Sequence, residues 1–240
     1  MLGPILKAGR GAFGLGEAGV SSNTVVFDVI GTLFSLETVR RRMTEMGAPS
    51  LALDVWFSDS LRDYFAASYA GAYMPFAQVL GASMGRMSDA LGLGLTEGQR
   101  ASLMGALGGL QLQPGAPEAF QAFADAGWKQ ITLTNGSEEF TRKLLEEAGV
   151  DSYFSAILSC DEIGKSKPHP DVYALARGHV DGEAWMVAAH AWDLQGASRV
   201  GFKTAYVTTK ETSYLSVYPA PDVIKDDLEE LAAAVLAAAG

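Results

Sequence analysis

The chain has 240 residues, of which 48% are hydrophobic and 19% charged, so it is long enough to bury a full core and too apolar to be disordered. Its formal net charge of -10 argues against a nucleic-acid partner, because phosphate contacts require clustered Lys and Arg side chains. The single cysteine, Cys160, leaves no partner for an internal disulfide or a thiolate metal cage, which favours a reducing, cytoplasmic compartment.

Neither a membrane span nor a signal peptide is predicted. The sequence contains no run of about 18 consecutive apolar residues, which a transmembrane helix requires, so we expect no membrane partner. Residues 1–23 are rich in glycine and lack a long apolar segment. We therefore interpret them as an N-terminal extension outside the fold.

The first predicted strand ends in an acidic residue. Val25, Val26 and Phe27 are typical of a strand buried on both faces, as in a parallel sheet. Asp28 then lies at the carboxyl end of the strand, where open α/β sheets place their chemistry. Gly31 permits a tight turn that leaves the carboxylate uncovered, and Thr32 offers a hydroxyl to hold it. A simple capping role for Asp28 at the strand–loop junction is the alternative.

The segment 36–112 has the composition of helices. We predict helices at 36–46, 76–91 and 96–107. Phe57 and Leu61 fall on one stripe of a further helix, and we predict no strand between residues 51 and 112. The sequence therefore indicates an all-helical cap domain, residues 36–112, inserted after the first strand.

Beyond this segment, strands and helices alternate. We predict helices at 117–126, 137–148, 171–177 and 228–238, and strands at 129–133, 154–159, 184–189 and 203–207. Such alternation predicts an α/β fold with a parallel sheet and helices on both faces. We assign residues 24–35 and 113–240 to this core domain.

Polar residues follow the predicted strands, and their positions make them converge on Asp28. Thr134 and Asn135 end the second strand, the loop after the third strand carries Lys167, and Asp193 follows the fourth. Lys165 is the alternative to Lys167. One carboxylate nucleophile, one ammonium, one amide–hydroxyl pair and a second carboxylate form a coherent catalytic set.

Four motifs in order resemble those of the haloacid dehalogenase (HAD) superfamily. They are Asp28-Val29-Ile30-Gly31-Thr32-Leu33, Leu133-Thr134-Asn135-Gly136, Lys167-Pro168 and Asp193. The helical insertion and Tyr173, six residues after Lys167, are most similar to the type II (S)-2-haloacid dehalogenase branch. The resemblance implies a Rossmann-like parallel sheet with a helical cap.

Two departures separate the chain from the phosphatases of this superfamily. The phosphatases carry a second Asp two residues after the nucleophile, as general acid for the leaving alcohol, and here that position is Ile30. Their fourth motif keeps a Gly-Asp pair that helps to hold Mg²⁺, and here Ala188 and Ala189 stand there. Phosphate-ester hydrolysis is therefore disfavoured, and no metal and no cofactor are expected.

The resemblance implies an ester mechanism on a short haloacid or related carboxylate. Asp28 attacks the carbon that bears the halogen, and water then attacks the Asp28 carboxyl carbon and releases a 2-hydroxy acid. Lys167 stabilises the Asp28 anion and pairs with Asp193, which orients or deprotonates the water. The remaining roles follow from the same resemblance: Thr32, Thr134 and Asn135 position Asp28 and the substrate carboxylate, and Tyr173 supports Lys167 or lines the pocket. A homodimer is also implied.

Three residues depart from the dehalogenase pattern. Where these dehalogenases carry an Arg after the Trp of the first cap helix, this chain has Phe57, which offers neither charge nor donors. A fourth-motif Asn corresponds to His190, which either donates to the substrate or is a packed strand-end histidine, and Ile30 replaces a common aromatic residue. An Mg²⁺-dependent phosphatase and a catalytically silent binding protein with the HAD fold are the alternative functions.

Overall fold

A computed structural model describes residues 23–240 of the chain. In chain order the strands are β1 (Thr24–Phe27), β2 (Phe34–Ser35), β3 (Gln111–Leu112), β4 (Lys129–Thr134), β5 (Ala156–Ser159), β6 (Ala184–Ala188), β7 (Lys203–Val207) and β8 (Val223–Lys225). The helices are α1 (Glu37–Glu45), α2 (Ala52–Tyr69), α3 (Phe76–Ala90), α4 (Glu97–Gly105), α5 (Ala116–Asp125), α6 (Glu138–Glu147), α7 (Pro170–Arg177), α8 (Ala191–Arg199) and α9 (Leu228–Ala239).

Six strands form one parallel sheet in the order β5-β4-β1-β6-β7-β8. The central strand β1 is short and fully buried, and its Phe27 pairs with Thr132 of β4 and Val187 of β6. Since the connections cross over, the carboxyl ends of β1, β4, β5 and β6 share one edge of the sheet. The predicted parallel α/β class is confirmed.

Helices cover both faces of the sheet because alternate strand residues point to opposite sides. Phe27 packs in one apolar cluster with Phe120 of α5 and Leu231 of α9. Its neighbour Val26 belongs to the other cluster, with Val172 of α7 and Leu194 of α8. The continuous run of apolar residues in β1 thus matches a strand buried on both faces.

Between β2 and β3 the chain runs through α1 to α4, and we call residues 36–110 the helical insertion. Its first residues follow β2, which pairs antiparallel with β3 through Phe34 and Leu112. The prediction of no strand between residues 51 and 112 is therefore wrong at β3. A two-residue strand shows no periodicity, so its sequence does not reveal it.

The predicted N-terminal extension lies outside the described residues except for Asn23. That residue extends the central strand β1 at its amino end, since its carbonyl accepts from the Lys129 N–H at 3.0 Å. None of the helices in residues 23–240 is long and apolar enough to cross a membrane.

Candidate active site

Asp28 emerges directly from the carboxyl end of β1 and is only 5% exposed. Its backbone N–H donates to the Val187 carbonyl of β6 at 3.0 Å, which prolongs the sheet pairing by one residue. The chain then turns sharply at Gly31, whose φ of 90° is a conformation that side-chain-bearing residues rarely adopt. This turn aims the Asp28 carboxylate at the space above the sheet edge.

Thr32 ties the carboxylate to the neighbouring strand end. Its hydroxyl donates to Asp28 Oδ2 at 2.6 Å and accepts from the Ala189 N–H at 2.9 Å. Because both bonds are buried, the hydroxyl orients one oxygen of Asp28 and leaves the other for a different partner.

That partner is Lys167, which is 0% exposed. Its Nζ donates to Asp28 Oδ1 at 3.0 Å and to Asp193 Oδ2 at 2.7 Å. Lys165 lies on the surface and pairs with Asp171. The structure thus brings Lys167, and not Lys165, to the two carboxylates.

Tyr173 holds the second carboxylate, that of Asp193, by the oxygen that Lys167 does not contact. Its hydroxyl lies 2.6 Å from Asp193 Oδ1 and 3.0 Å from the Asp193 carbonyl oxygen. The ring packs against Gly196 of α8 so closely that a Cβ at that position would lie 2.5 Å from it. Asp193 and Tyr173 are fully buried and form a layer behind Lys167.

Asn135 and Thr134 extend the site from the end of β4. Asn135 Oδ1 accepts from the Lys167 N–H at 3.0 Å and from Cys160 Sγ at 3.2 Å, which anchors the loop that carries the lysine. Thr134 Oγ1 accepts from the Gly136 N–H at 3.0 Å. The structure thus gives Asn135 a part in placing Lys167 that its sequence position did not reveal.

A cavity of about 140 Å³ opens onto Asp28. The polar residues of its wall include Asp28, Thr134, Asn135 and His190, whereas the remainder is chiefly apolar. In that apolar part, the helical insertion supplies Phe57, Leu61, Phe76, Ala77, Leu80 and Leu107, whereas the turn after β1 supplies Ile30, α6 supplies Phe140 and α8 supplies Trp192. The volume is well below the roughly 300–1,000 Å³ of pockets for drug-sized ligands, so the cavity fits a small molecule.

His190 lines the same cavity and is 3% exposed. Its ring is nearly parallel to those of Phe57 and Trp192, with centroid distances of 6.1 and 5.2 Å. Its Nδ1 lies 3.1 Å from Glu211 Oε1, and its Nε2 lies 3.2 Å from the Ile30 carbonyl oxygen. The histidine is therefore both packed and polar-bonded, and Glu211 is a member of the site that sequence reasoning missed.

Comparison with known proteins gives the family. The family model described as haloacid dehalogenase-like hydrolase matches residues 23–201, more than half of the chain. The chain belongs to the haloacid dehalogenase-like hydrolases. The family predicted from the four motifs is thereby confirmed.

Named relatives of this dehalogenase-like hydrolase point to one branch. The (S)-2-haloacid dehalogenase of Xanthobacter autotrophicus is 32% identical over 190 residues, covering 76% of this chain and 74% of that protein. The (S)-2-haloacid dehalogenase 2 of Pseudomonas sp. (strain CBS-3) is 27% identical over 213 residues, covering 86% and 93%.

A solved structure agrees with these relatives. The L-2-haloacid dehalogenase of Xanthobacter autotrophicus with chloropropionic acid covalently bound has a TM-score of 0.79 and 26% identity. It covers 90% of this chain and 98% of that one. The predicted resemblance to the (S)-2-haloacid dehalogenase branch is confirmed.

Charges in the site of this dehalogenase-like hydrolase favour an anionic Asp28. Burial raises the pKa of Asp28, but the nearby Lys167 and His190 charges and the Thr32 hydrogen bond outweigh burial and hold it below its usual value. Burial and the Asp28 charge raise the pKa of Asp193 despite Lys167. Burial opposes the charge on Lys167, yet the two carboxylates raise its pKa.

Magnesium, which the phosphatases of the superfamily use, does not fit these residues. The Lys167 ammonium already lies between the Asp28 and Asp193 carboxylates, at 3.0 and 2.7 Å. Within residues 23–240 no three His, Cys, Asp or Glu side chains are grouped to hold a metal ion. Mg²⁺ needs several oxygen ligands, and a lysine ammonium in their midst repels it.

Proposed function

We propose that this chain hydrolyses the carbon–halogen bond of a small 2-haloacid and releases the corresponding 2-hydroxy acid. The observation that carries the proposal is the Asp28 carboxylate, which borders the cavity while Thr32 and Lys167 hold it. Ile30 stands where an acid for a leaving alcohol is needed. A halide leaves without a proton, so Ile30 suits this reaction and not phosphate-ester hydrolysis.

In the first step an Asp28 oxygen attacks the carbon that bears the halogen. The carbon–halogen bond breaks, and the halide leaves with the bonding electrons, so Asp28 becomes an ester. Lys167 keeps its bond to Asp193 and donates to an ester oxygen, which polarises the Asp28 carboxyl carbon. The lysine thus serves first to orient the nucleophile and then to activate the ester.

In the second step water attacks the Asp28 carboxyl carbon. The bond between that carbon and the substrate oxygen breaks, which releases the 2-hydroxy acid and restores the Asp28 carboxylate. Asp193, whose pKa burial raises, takes one proton of the water and later passes it to solvent, while the second water proton goes to the departing oxygen of the 2-hydroxy acid. Tyr173 keeps Asp193 oriented throughout.

The residues of the cavity wall other than Asp28 bind the substrate. Thr134 and Asn135 offer polar groups to the substrate carboxylate, and Ile30 and Phe57 contact its apolar part. Residues 36–112 act as a cap, because the helical insertion covers the cavity from above the sheet edge. We further propose that the chain works in the cytoplasm as a homodimer, which size-exclusion chromatography with light scattering tests.

Halide release tests the reaction. Wild type is incubated with 2-chloro-, 2-bromo- and fluoro-acids, beside Asp28→Asn and the control Asp89→Asn, whose side chain is exposed. We expect halide and 2-hydroxy acid from wild type and from the control, and a loss of at least about 10³-fold in Asp28→Asn. A single turnover in ¹⁸O-labelled water should place the label in Asp28 and leave the first product unlabelled.

Other outcomes identify the rival functions. Phosphate release that a chelator abolishes would establish an Mg²⁺-dependent phosphatase instead. If small carboxylates bind but neither halide nor phosphate is released, the chain is a binding protein with this fold. Label that appears directly in the first product would show that water, and not Asp28, attacks the substrate.

A further inference from the structure

A small carboxylate that enters this cavity meets the Asp28 anion, so it needs a compensating positive charge. Lys167 does not supply that charge, because it is not part of the cavity wall and its single positive charge already faces two carboxylates. Phe57 adds none. Among the described residues that line the cavity, His190 is the one basic side chain.

The contacts of His190 decide its protonation. Nε2 lies 3.2 Å from the Ile30 carbonyl oxygen, which only accepts hydrogen bonds, so Nε2 carries a proton. Nδ1 lies 3.1 Å from Glu211 Oε1, also an acceptor when ionised, so Nδ1 carries a proton as well. A ring that donates from both nitrogens is an imidazolium.

Glu211 is itself held in place from two sides. Its Oε2 accepts from the Ala191 N–H at 3.0 Å, at the start of α8. Its carbonyl accepts from the Tyr206 hydroxyl at 2.5 Å. The carboxylate therefore bridges the His190 ring and the backbone after it, and its orientation toward Nδ1 is fixed.

We propose that Glu211 is a positioning residue that keeps His190 doubly protonated, and that this fixed cation draws the carboxylate of the substrate into the cavity. The inference rests on the proposed function. It names His190 as the source of the positive charge that Phe57 does not supply. The apolar wall strengthens the attraction, because water screens charges less there.

The surrounding charges agree with this protonation state. Asp28 from the end of β1 and Glu211 from the connection after β7 face the ring, whereas the Lys210 ammonium is directed at Asp54, 2.7 Å away. Burial lowers the pKa of His190, but Glu211, Asp28 and the Ile30 carbonyl together raise it above its ordinary value.

Glu211→Gln removes the charge and keeps the shape, and Glu146→Gln at an exposed site of α6 is the matched control. Imidazole ¹⁵N spectra across pH follow the protonation of His190, which a His190→Asn sample assigns. In wild type and the control we expect the imidazolium to persist above pH 7. In Glu211→Gln it should titrate near the ordinary value of about 6.5 or below.

Binding of propionate, an unreactive carboxylate, is measured by calorimetry on the same proteins. At pH 8 we expect Glu211→Gln to bind it at least about tenfold more weakly than wild type, with near-wild-type affinity restored at pH 5.5. A merely structural defect would not recover with acid. For halide release, KM should rise more than kcat falls.

A neutral His190 in wild type at pH 7 overturns the inference, as does unchanged propionate affinity in Glu211→Gln at pH 8. Neither measurement requires turnover, so each can fail while Asp28-dependent halide release stands. If Glu211→Gln does not fold, the wild-type ¹⁵N spectra alone decide whether His190 is an imidazolium.

Discussion

Replacing Gly196 by alanine should disturb the active site through Tyr173, which contacts both Gly196 and Asp193. The new Cβ would lie 2.5 Å from the Tyr173 hydroxyl oxygen and Cε2, and 2.7 Å from Cζ. Tyr173 is 0% exposed, so its ring has no solvent to move into. The ring must shift within the core, and the shift breaks its 2.6 Å bond to Asp193.

The magnitude follows from three opposing contributions. Overpacking a filled core costs about 1–3 kcal/mol, and loss of a hydrogen bond to a charged group costs about 1.5–3 kcal/mol. Alanine in place of a helical glycine stabilises the helix by about 1 kcal/mol. We therefore expect Gly196→Ala to lower the free energy of unfolding by about 1.5–5 kcal/mol.

Urea unfolding followed by circular dichroism measures this change, with halide release measured on the same samples. The control is Gly81→Ala in α3, where an added Cβ meets nothing within 4 Å, and it should leave stability unchanged or raise it slightly. If Gly196→Ala were as stable and as active as Gly81→Ala, the close packing of Tyr173 on α8 would be refuted.

Three further substitutions, the first with Lys165→Met as its control, test other parts of the structure. Lys167→Met leaves two buried carboxylates without a cation, so it should cost about 3–5 kcal/mol of stability in thermal unfolding and abolish halide release. Lys165→Met, at an exposed lysine, should change stability by less than about 0.5 kcal/mol. Thr132→Val removes a buried hydroxyl that has no hydrogen-bond partner among the described residues, and a gain of about 1 kcal/mol in urea unfolding is expected. Asp54→Asn tests a carboxylate whose hydrogen bonds from Arg40 lower its pKa to about 2. Because Asp54 is partly exposed, its contribution should be below about 1 kcal/mol, complete above about pH 4 and lost as the pH falls toward 2; a difference between wild type and variant that persists at pH 2 would contradict it.

Strand-end residues are predictable because their positions follow from chain pattern alone. Asp28 follows a continuous apolar run, and Thr134 follows the predicted strand 129–133, so a parallel sheet places both at one edge. Lys167 was separable from Lys165 only through its spacing to neighbouring motif residues. The contact that distinguishes the two lysines, the 3.0 Å bond to Asp28, is visible only in the fold.

Short or interrupted elements escaped prediction for a physical reason. The edge strand β8 has three residues, too few to show alternation. Helix α8 contains Gly196, and glycine is a poor helix former. The sequence alone gives no reason for a glycine there, whereas the structure does, because the Tyr173 ring packs against it. In both cases tertiary packing, rather than local preference, stabilises the element.

Glu211 illustrates a different limit. It lies 21 residues after His190, on a connection that has no periodic pattern. Its carboxylate meets the imidazole because the connection after β7 returns across the sheet edge, and a single sequence does not specify that path. Side-chain pairs of this kind become predictable only once the course of each loop is known.

Much of the apolar cavity wall comes from a different stretch of the chain than the reacting groups do. Leu61, Phe76 and Leu80 belong to the helical insertion, whereas Asp28 and Lys167 belong to strand ends and their loops. Natural variation in the insertion can therefore alter which compounds are admitted while the nucleophile and its ion pairs stay intact. Such a division lets one scaffold diversify its preferences by small steps, each of which preserves turnover.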